Sequence, residues 1–411
     1  MSVTAFSRLG SANAYDNTLA NLTTRQNNLA NLQESLSSGK KITTPSDDPT
    51  GAAQAERALN RLARIASDQR TLEVQRNAIS TAESTLGDIT SALQEVRDLV
   101  VSAGNGSFSN AERKTVALQI TGLRERILSL ANAQDSNGQP LFAALGSALK
   151  PIAGPASSAP DYTFTGLPGS AAAGTYAIAS SLDGDSAFML RPTRDAAYNV
   201  QTGTSGNLTT DSVATNAATG PITGTPYTVT NIVVTGNTVS YDLNVTDNAG
   251  VVLSTTPTAA APWSAATGFS VTGMAGLSLN IKGTPKPGDT VRVTPSTSVF
   301  GTVDSAIADI GSATNSAAAN QAVSQALHNI DISMARISAV RGQAGDLLSR
   351  AETITSTNDK RNVEQEANRS RAEDVDMIKG VSDFQKQQTG YQAALQSYAQ
   401  IQKLSLFNYI G

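Results

Sequence analysis

Apolar residues near both ends of the chain recur at intervals of three, four and seven positions, a spacing that predicts amphipathic α-helices. The first such segment runs from about Tyr15 to Ser38, and its apolar face consists of Leu22, Leu29, Leu32 and Leu36. Because these leucines form only a narrow stripe, the segment is marginal as an isolated helix and needs a packing partner.

The second helical segment, from about Gly51 to Ala103, contains the strongest repeat in the chain. An apolar residue occupies every seventh position, at Ile65, Leu72, Ile79, Leu86, Leu93 and Val100. Such a heptad repeat is typical of a coiled coil. At 1.5 Å per residue, a helix of about 50 residues would be roughly 75 Å long, which predicts a rod rather than an element of a small globular domain.

Helical patterns return in the C-terminal part of the chain, from about Val303 onward. A second heptad series there includes Val323, Ile330, Ile337, Ala344 and Ala351. The last predicted helix covers about Val375 to Leu406, with an apolar stripe that includes Val381, Phe384, Tyr391, Leu395 and Tyr398. An apolar tail containing Leu406 and Phe407 follows this stripe.

The middle of the chain, residues 151–300, differs from both ends in composition. Its charge is lower, and short runs of alternating β-branched residues are separated by glycine, proline and asparagine. Alternation of this kind predicts strands, and Gly236-Asn237 between two runs predicts a hairpin turn. The strands are expected at Tyr227–Val234, Val239–Val245, Ser270–Ile281 and Asp289–Val293.

These patterns predict a mainly α fold with a β-rich insertion. The N- and C-terminal regions are expected to pair as a long antiparallel coiled-coil helical bundle, with the insertion as an outward β domain. The predicted segments are 1–44 and 361–411 (terminal helices), 45–150 and 301–360 (the two parts of the rod), and 151–300 (the inserted domain). A third rod helix is predicted from Ser109, which forms a capping-box pattern with Glu112.

Composition and charge narrow the range of functions. The 411 residues include 30 Lys and Arg against 34 Asp and Glu, and no cysteine. A net charge of −4 with interspersed signs argues against a nucleic-acid-binding face, and the absence of cysteine excludes disulfides and thiolate chemistry. The segment Met1–Asn21 has no apolar run of signal-peptide length, and no run is long enough to span a bilayer.

Candidate catalytic patterns are weak throughout the chain. His328 is the only histidine, and it lacks the partners of a triad or a zinc site. Ser38-Gly39-Lys40 lacks the flanking residues of a phosphate-binding loop, and the acids at 373–376 are typical of a helix N-terminus. We therefore expect no catalytic, cofactor-binding or metal-binding residues and no enzymatic activity.

The apolar stripes are the candidate functional residues. The rod core is predicted at Ile65, Leu72, Ile79, Leu86, Leu93, Val100, Ile330 and Ile337. An assembly interface is predicted at Leu22, Leu29, Leu32, Leu36, Val381, Phe384, Tyr391, Leu395, Tyr398, Leu406 and Phe407. Apolar stripes left uncovered on one copy indicate an interaction surface, although the terminal stripes also suit pairing within the chain.

Two stretches of the sequence resemble a known family. The segment Leu29–Ile42, followed by Pro45-Ser46-Asp47-Asp48-Pro49, resembles the N-terminal signature of the bacterial flagellin family, and Ser370–Asp376 resembles its C-terminal signature. Within that family, the Pro-Ser-Asp-Asp-Pro loop, the segment Asn137–Ala143 and the ending Leu404–Ile410 are more similar to the subunits that join hook to filament than to filament flagellins.

The resemblance implies a structural subunit at the hook–filament junction of the flagellum. The terminal segments would form an inner core and the long helices an outer core. It further implies a homo-oligomeric ring, contact with a neighbouring hook-associated protein and with flagellin, and an export chaperone on the C-terminal helix. The subunit would leave the cell through type III export without a cleaved signal and act outside it.

Two other functions remain open on the sequence alone. The first is filament flagellin. The second is a secreted type III coiled-coil translocator or tip protein, which would require helices apolar enough to enter a bilayer. A glycan hydrolase in the insertion would need a pair of carboxylates in a cleft, and the aspartates of that region form no recognisable motif.

Overall fold

The computed structural model describes residues 3–155, 162–171, 174–203, 208–247 and 249–410, with side chains described between residues 16 and 400 of these ranges. The α-helices are α1 (Val3–Ser38), α2 (Pro49–Ala103), α3 (Asn110–Ala131), α4 (Gly184–Phe188), α5 (Pro192–Asp195), α6 (Val299–Ser312), α7 (Ser316–Glu373) and α8 (Met377–Ile410). Strands occur only between α3 and α6 in these ranges. The predicted mainly α fold with a central β-rich insertion is confirmed.

The chain divides into two compact units. A terminal unit contains residues 1–70 and 355–411, and a central unit contains residues 71–354. Helices α2 and α7 therefore contribute one part to each unit.

Side-chain contacts show that α2 and α7 are antiparallel. In the central unit, the Nε atoms of Arg97 and Arg341 lie 3.1 Å and 2.7 Å from carboxylate oxygens of Asp331 and Glu83. The residue numbers rise on one helix as they fall on the other, as expected for opposite chain directions.

The same direction holds in the terminal unit. Gln69 Nε2 donates to Asp359 Oδ1 at 2.8 Å, and Arg61 Nη1 donates to Gln365 Oε1 at 3.4 Å. The antiparallel pairing predicted for the N- and C-terminal regions is thus present in each unit.

The helical core of the central unit is formed by α2, α3, α6 and α7. Ile79, Leu86 and Leu93 on α2 have no exposed surface, and they belong to one cluster with Ile120 on α3 and Ile310 on α6. An aromatic group extends this cluster through tilted and edge-on contacts between the rings of Phe142, Phe188, Phe300 and Tyr162. Helix packing and the connecting loops therefore share one apolar interior.

The β-rich part contains eleven short strands in the described residues. They are β1 (Ile152–Ala153), β2 (Thr163–Phe164), β3 (Tyr198–Thr202), β4 (Leu208–Thr210), β5 (Ala214–Thr215), β6 (Tyr227–Thr235), β7 (Thr238–Thr246), β8 (Val252–Pro262), β9 (Phe269–Val271), β10 (Leu277–Gly283) and β11 (Val291–Pro295). A five-stranded antiparallel sheet has the order β3-β11-β6-β7-β8, and β10 pairs with β4, β5 and β9.

The two larger sheets share a second apolar core. Its members include Val229 and Leu243 from the five-stranded sheet and Phe269, Leu279 and Ile281 from β9 and β10. Helix α7 contacts the five-stranded sheet through two amide side chains. Gln325 Nε2 and Asn329 Nδ2 donate to the carbonyl of Tyr198, the first residue of β3, at 2.7 Å and 3.0 Å.

Several local predictions from the sequence are confirmed. Ser109 accepts from the Glu112 N–H, and Glu112 accepts from the Ser109 N–H at 2.6 Å, so the capping box is complete. Hydrogen bonding of the carboxylate to Ser109, first of all to its backbone N–H, lowers the pKa of Glu112. Gly236, at φ +61°, occupies the predicted turn between β6 and β7.

Other local predictions were wrong in their bounds. Ser270–Ile281 was expected as one strand, but it holds parts of β9 and β10, which pair with each other across a turn at Gly276 (φ +71°). Strand β8 was missed because its residues are almost all exposed and lack an alternating pattern. The last helix begins at Met377 rather than Val375, because the chain at Val375 is hydrogen-bonded to the turn after α1.

Candidate assembly interface

Helices α1 and α8 pack against each other in the terminal unit. Leu22 is buried, and the other predicted apolar positions of α1, Leu29, Leu32 and Leu36, are half-buried. On α8, Phe384, Tyr391 and Tyr398 are half-buried. The two terminal stripes are therefore only partly covered within one copy of the chain.

A glycine permits the close approach of α8 to α1. Gly380 is buried, and a Cβ atom at this position would lie 2.8 Å from Cδ2 of Leu36. A side chain there would force Leu36 to move. This contact lies near the first turn of α8, where the helix starts with Asp376 Oδ1 accepting the Lys379 N–H at 3.1 Å.

A short backbone bridge joins the α1–α2 turn to the α7–α8 turn. The Lys41 N–H donates to the Glu373 carbonyl at 2.8 Å, and the Val375 N–H donates to the Gly39 carbonyl at 2.9 Å. Lys40 Nζ forms an ion pair with the Glu373 carboxylate. Gly39 has φ +73°, a conformation that glycine adopts without a steric penalty.

The loop that precedes α2 is ordered by two carboxylates. Asp47 Oδ2 accepts the N–H groups of Thr44 and Thr43 at 2.7 Å and 3.1 Å, and these hydrogen bonds lower the pKa of Asp47. Asp48 Oδ1 accepts the Gly51 N–H at 2.9 Å and so caps the start of α2. The Pro-Ser-Asp-Asp-Pro segment thus acts as a helix-start signal, as its sequence predicts.

One side of α8 carries uncovered apolar side chains. Val381 is 44% exposed and Leu395 is 42% exposed, and the neighbouring Ile378 is 87% exposed. We call these three side chains the exposed ridge of α8. Val381 follows Ile378 by three residues and Leu395 follows Val381 by 14, so all three lie on one side of the helix. A group of apolar side chains left in water is a feature of surfaces that bind another protein.

A polar groove of about 680 Å³ lies between α1 and α8. Its lining includes Arg25, Ser35, Asp383 and Lys386, with Leu32 as its apolar member. The groove is open, and charged groups of both signs line it, so this side of the helix pair is mostly polar.

The predicted rod-core residues all lie in buried positions. Leu72, Ile79, Leu86, Leu93, Val100, Ile330 and Ile337 are in the helical core of the central unit, and Ile65 is in the terminal unit. The side chains of Leu406 and Phe407 lie outside the described residues.

Several buried residues of the helix pair lie outside the predicted rod core, and Asn358 is one of them. Asn358 on α7 is 1% exposed, and its position continues the heptad series after Ala351. That spacing was the available signal, but asparagine is polar and the predicted rod core consists of apolar residues only; the surrounding segment Ser356–Asn368 is polar as well. The structure places the whole of this segment inside α7.

The described residues contain no cluster of three or more His, Cys, Asp or Glu side chains that could hold a metal ion. In the same part of the chain, no helix combines the length and apolarity that crossing a membrane requires.

Two family models match the chain. The model of the bacterial flagellin N-terminal helical region matches residues 11–146, and that of the C-terminal helical region matches residues 327–410. Together these matches cover more than half of the 411 residues. The chain belongs to the bacterial flagellin family. The resemblance carried by Leu29–Ile42 and Ser370–Asp376 is thus confirmed.

Curated members of the flagellin family align with part of the chain. It is 35% identical over 141 residues to the flagellar hook-associated protein 3 of Salmonella typhimurium, covering 33% of this chain and 43% of that protein. It is 30% identical over 110 residues to the flagellar filament 41 kDa core protein of Borreliella burgdorferi, covering 27% of this chain and 33% of that protein. The chain therefore spans less than half the length of each relative.

Solved structures of the family share the fold over most of the chain. The hook-associated protein 3 of Legionella pneumophila has a TM-score of 0.62 at 23% identity and covers 77% of this chain and 98% of its own. The flagellar junction protein FlgL of Legionella pneumophila has a TM-score of 0.58 at 25% identity and covers 73% of this chain and 99% of its own.

Proposed function

We propose that this flagellin-family chain is a structural subunit of the hook–filament junction of the bacterial flagellum. The observation that carries the proposal is the terminal pair of helices, whose apolar stripes remain partly uncovered in one copy. The similarity to hook-associated protein 3 supports the junction as the location. The subunit has a mechanical role in this proposal and catalyses no reaction.

The assembly interface in this proposal is the exposed ridge of α8 together with the half-covered α1 stripe. Leu22 and Leu29 hold the two helices together, and Val381 and Leu395 contact a neighbouring copy. Burial of apolar side chains between copies supplies the main favourable free energy of such an interface. The rod-core residues maintain each subunit as the neighbours dock.

The partners follow from the location. Copies of the chain form a homo-oligomeric ring between a neighbouring hook-associated protein and flagellin, with the inserted β domain outward. An export chaperone covers the apolar side of α8 before assembly. The subunit leaves the cell by type III export without a cleaved signal peptide and acts in the extracellular flagellum, with 1–44 and 361–411 as the inner core.

Deletion of the gene tests the location. We expect electron microscopy of the deletion strain to show hooks without filaments, and flagellin to accumulate in the medium. Complementation with the intact chain should restore filaments, whereas a chain lacking residues 398–411 should be exported, fold and fail to restore them. Normal filaments in the deletion strain would contradict the junction role.

Filament flagellin is the second candidate, because the Borreliella relative is a filament protein. The two candidates differ in copy number. A junction subunit should be a trace band in sheared flagella, whereas a filament subunit should be the dominant band. Quantitative mass spectrometry of sheared flagella distinguishes them.

A further inference from the structure

The core-facing positions of α7 change in character along the helix. At seven-residue spacing they are Ile330, Ile337, Ala344, Ala351 and Asn358, and all of them are at most 1% exposed. Large apolar side chains are thus followed by small ones and then by an amide. The amide occupies the first position of this series that belongs to the terminal unit.

Both polar atoms of the Asn358 side chain lack a hydrogen-bond partner within the described part of the chain. This sets Asn358 apart from Asn329 on the same helix, whose Nδ2 donates to the Tyr198 carbonyl at 3.0 Å. A buried amide that loses its hydrogen bonds to water without replacing them favours the open state by about tenfold or more.

The terminal unit buries few large apolar side chains that could offset this cost. Its buried α2 side chains are Ala55, Ala58 and Ile65, and the buried apolar residue at the end of α7 is Ala372. Alanine buries far less apolar area than leucine or isoleucine. The nearby Gln69–Asp359 hydrogen bond is exposed to solvent, where such a contact adds little.

We propose that Asn358 is a built-in point of low stability at which the α2–α7 pairing of the terminal unit opens while the central unit stays closed. Opening allows water to reach the two unpaired amide atoms, so the hydrogen bonds that are missing in the closed state are made in the open one. This inference rests on burial and hydrogen bonding alone, and it holds whether or not the chain acts at the hook–filament junction.

Hydrogen exchange followed by mass spectrometry on the full chain tests the proposal. Peptides from residues 355–373 should exchange at least tenfold faster than peptides from residues 330–351. Asn358→Leu replaces the two polar atoms by methyl groups on the same branched skeleton. It should slow exchange in 355–373 by about tenfold and leave 330–351 unchanged.

Gln365→Leu is the matched control one heptad later. Gln365 is half-buried and accepts a hydrogen bond from Arg61 at 3.4 Å, so its replacement should not slow exchange. If Asn358→Leu fails to fold because leucine is larger, Asn358→Ala is judged by the same criterion. Unchanged exchange in 355–373 in a folded variant, or equal slowing in both segments, would overturn the proposal.

Discussion

The terminal and central units use the same two long helices but pack them differently. In the central unit, α2 presents Leu86 and Leu93 to a core in which these side chains have no exposed surface, and two further helices cover it. In the terminal unit, the same helix presents Ala55, Ala58 and Ile65, each with some remaining exposure. Both units have the heptad spacing, but the side chains that α2 buries are larger in the central unit than in the terminal unit.

The difference shows that a regular heptad pattern specifies which face of a helix packs but not how stable the packing is. Stability depends on the apolar area that each position removes from water. A rod with one pattern can therefore combine a firmly closed region with a region that opens or repacks at little cost. The apolar stripes of α1 and α8 are only partly covered, so still less apolar area is removed from water at the surface proposed for assembly.

The largest expected effect follows from placing a charge in the central core. Leu86→Asp should lower the free energy of unfolding by about 3–5 kcal/mol or more, because an unpaired carboxylate would be buried among apolar side chains. Chemical denaturation monitored by circular dichroism measures the change. Leu59→Asp on the same helix, where the side chain is 41% exposed, is the control and should cost under about 1 kcal/mol.

The second prediction concerns the titration of a half-buried acid, Asp309, in the central unit. Burial raises the pKa of Asp309 to about 6, and a hydrogen bond from Asn199 opposes the shift. In the unfolded chain the same acid titrates near 3.8. The folded state therefore holds the proton more tightly, and the stability of the central unit falls as the pH rises from about 4 to about 6.

Asp309→Asn should remove that penalty. The variant should be more stable than the original chain by about 1–3 kcal/mol at pH 7 and equally stable near pH 3.5. Thermal unfolding as a function of pH measures the effect, and a constant difference at all pH values would contradict the explanation. Asp331→Asn, at an exposed ion pair, is the control.

The third prediction separates the two units directly. Ile65→Ala should destabilise the terminal unit by about 1–2 kcal/mol, less than the 2–5 kcal/mol of a fully buried site, because Ile65 keeps 6% exposure and lies outside the clustered helical core. Hydrogen exchange in residues 49–70 should rise while exchange in residues 79–100 stays the same. A matching rise in both segments would show that the units unfold together.

The smallest expected effect on stability is at the exposed ridge of α8. The double variant Val381→Ser and Leu395→Ser should change the free energy of unfolding of the isolated chain by less than about 1 kcal/mol, because both side chains already have over two fifths of their surface in water. It should nevertheless weaken assembly, measured as the fraction of cells with attached filaments. Normal filament attachment would place the assembly surface elsewhere.

The helical part of the fold could be predicted from the sequence because its signals are local. The heptads of α2 and α7 and the Ser109–Glu112 capping box are all visible within a few turns. Each depends on neighbours in the sequence, so no long-range information is needed.

The remainder of the fold depends on contacts between distant residues. Strand β8 is held by pairing with β7 rather than by a buried face, so alternation did not reveal it. The Phe142–Phe188–Phe300 group joins three segments that are remote in the sequence. At the candidate interface, the apolar stripes were visible, but which face of α8 remains uncovered could be read only from its packing against α1.

The backbone bridge between the two turns has a mechanical consequence. The turn after α1 and the turn before α8 meet where the Lys41 N–H donates to the Glu373 carbonyl and the Val375 N–H donates to the Gly39 carbonyl. Because the turns are fastened to each other, α1 and α8 cannot swing apart at this level without breaking those bonds. If the chain bends at this point, α1 and α8 must move together. The helix pair therefore moves as one rigid element about the two hydrogen-bonded turns.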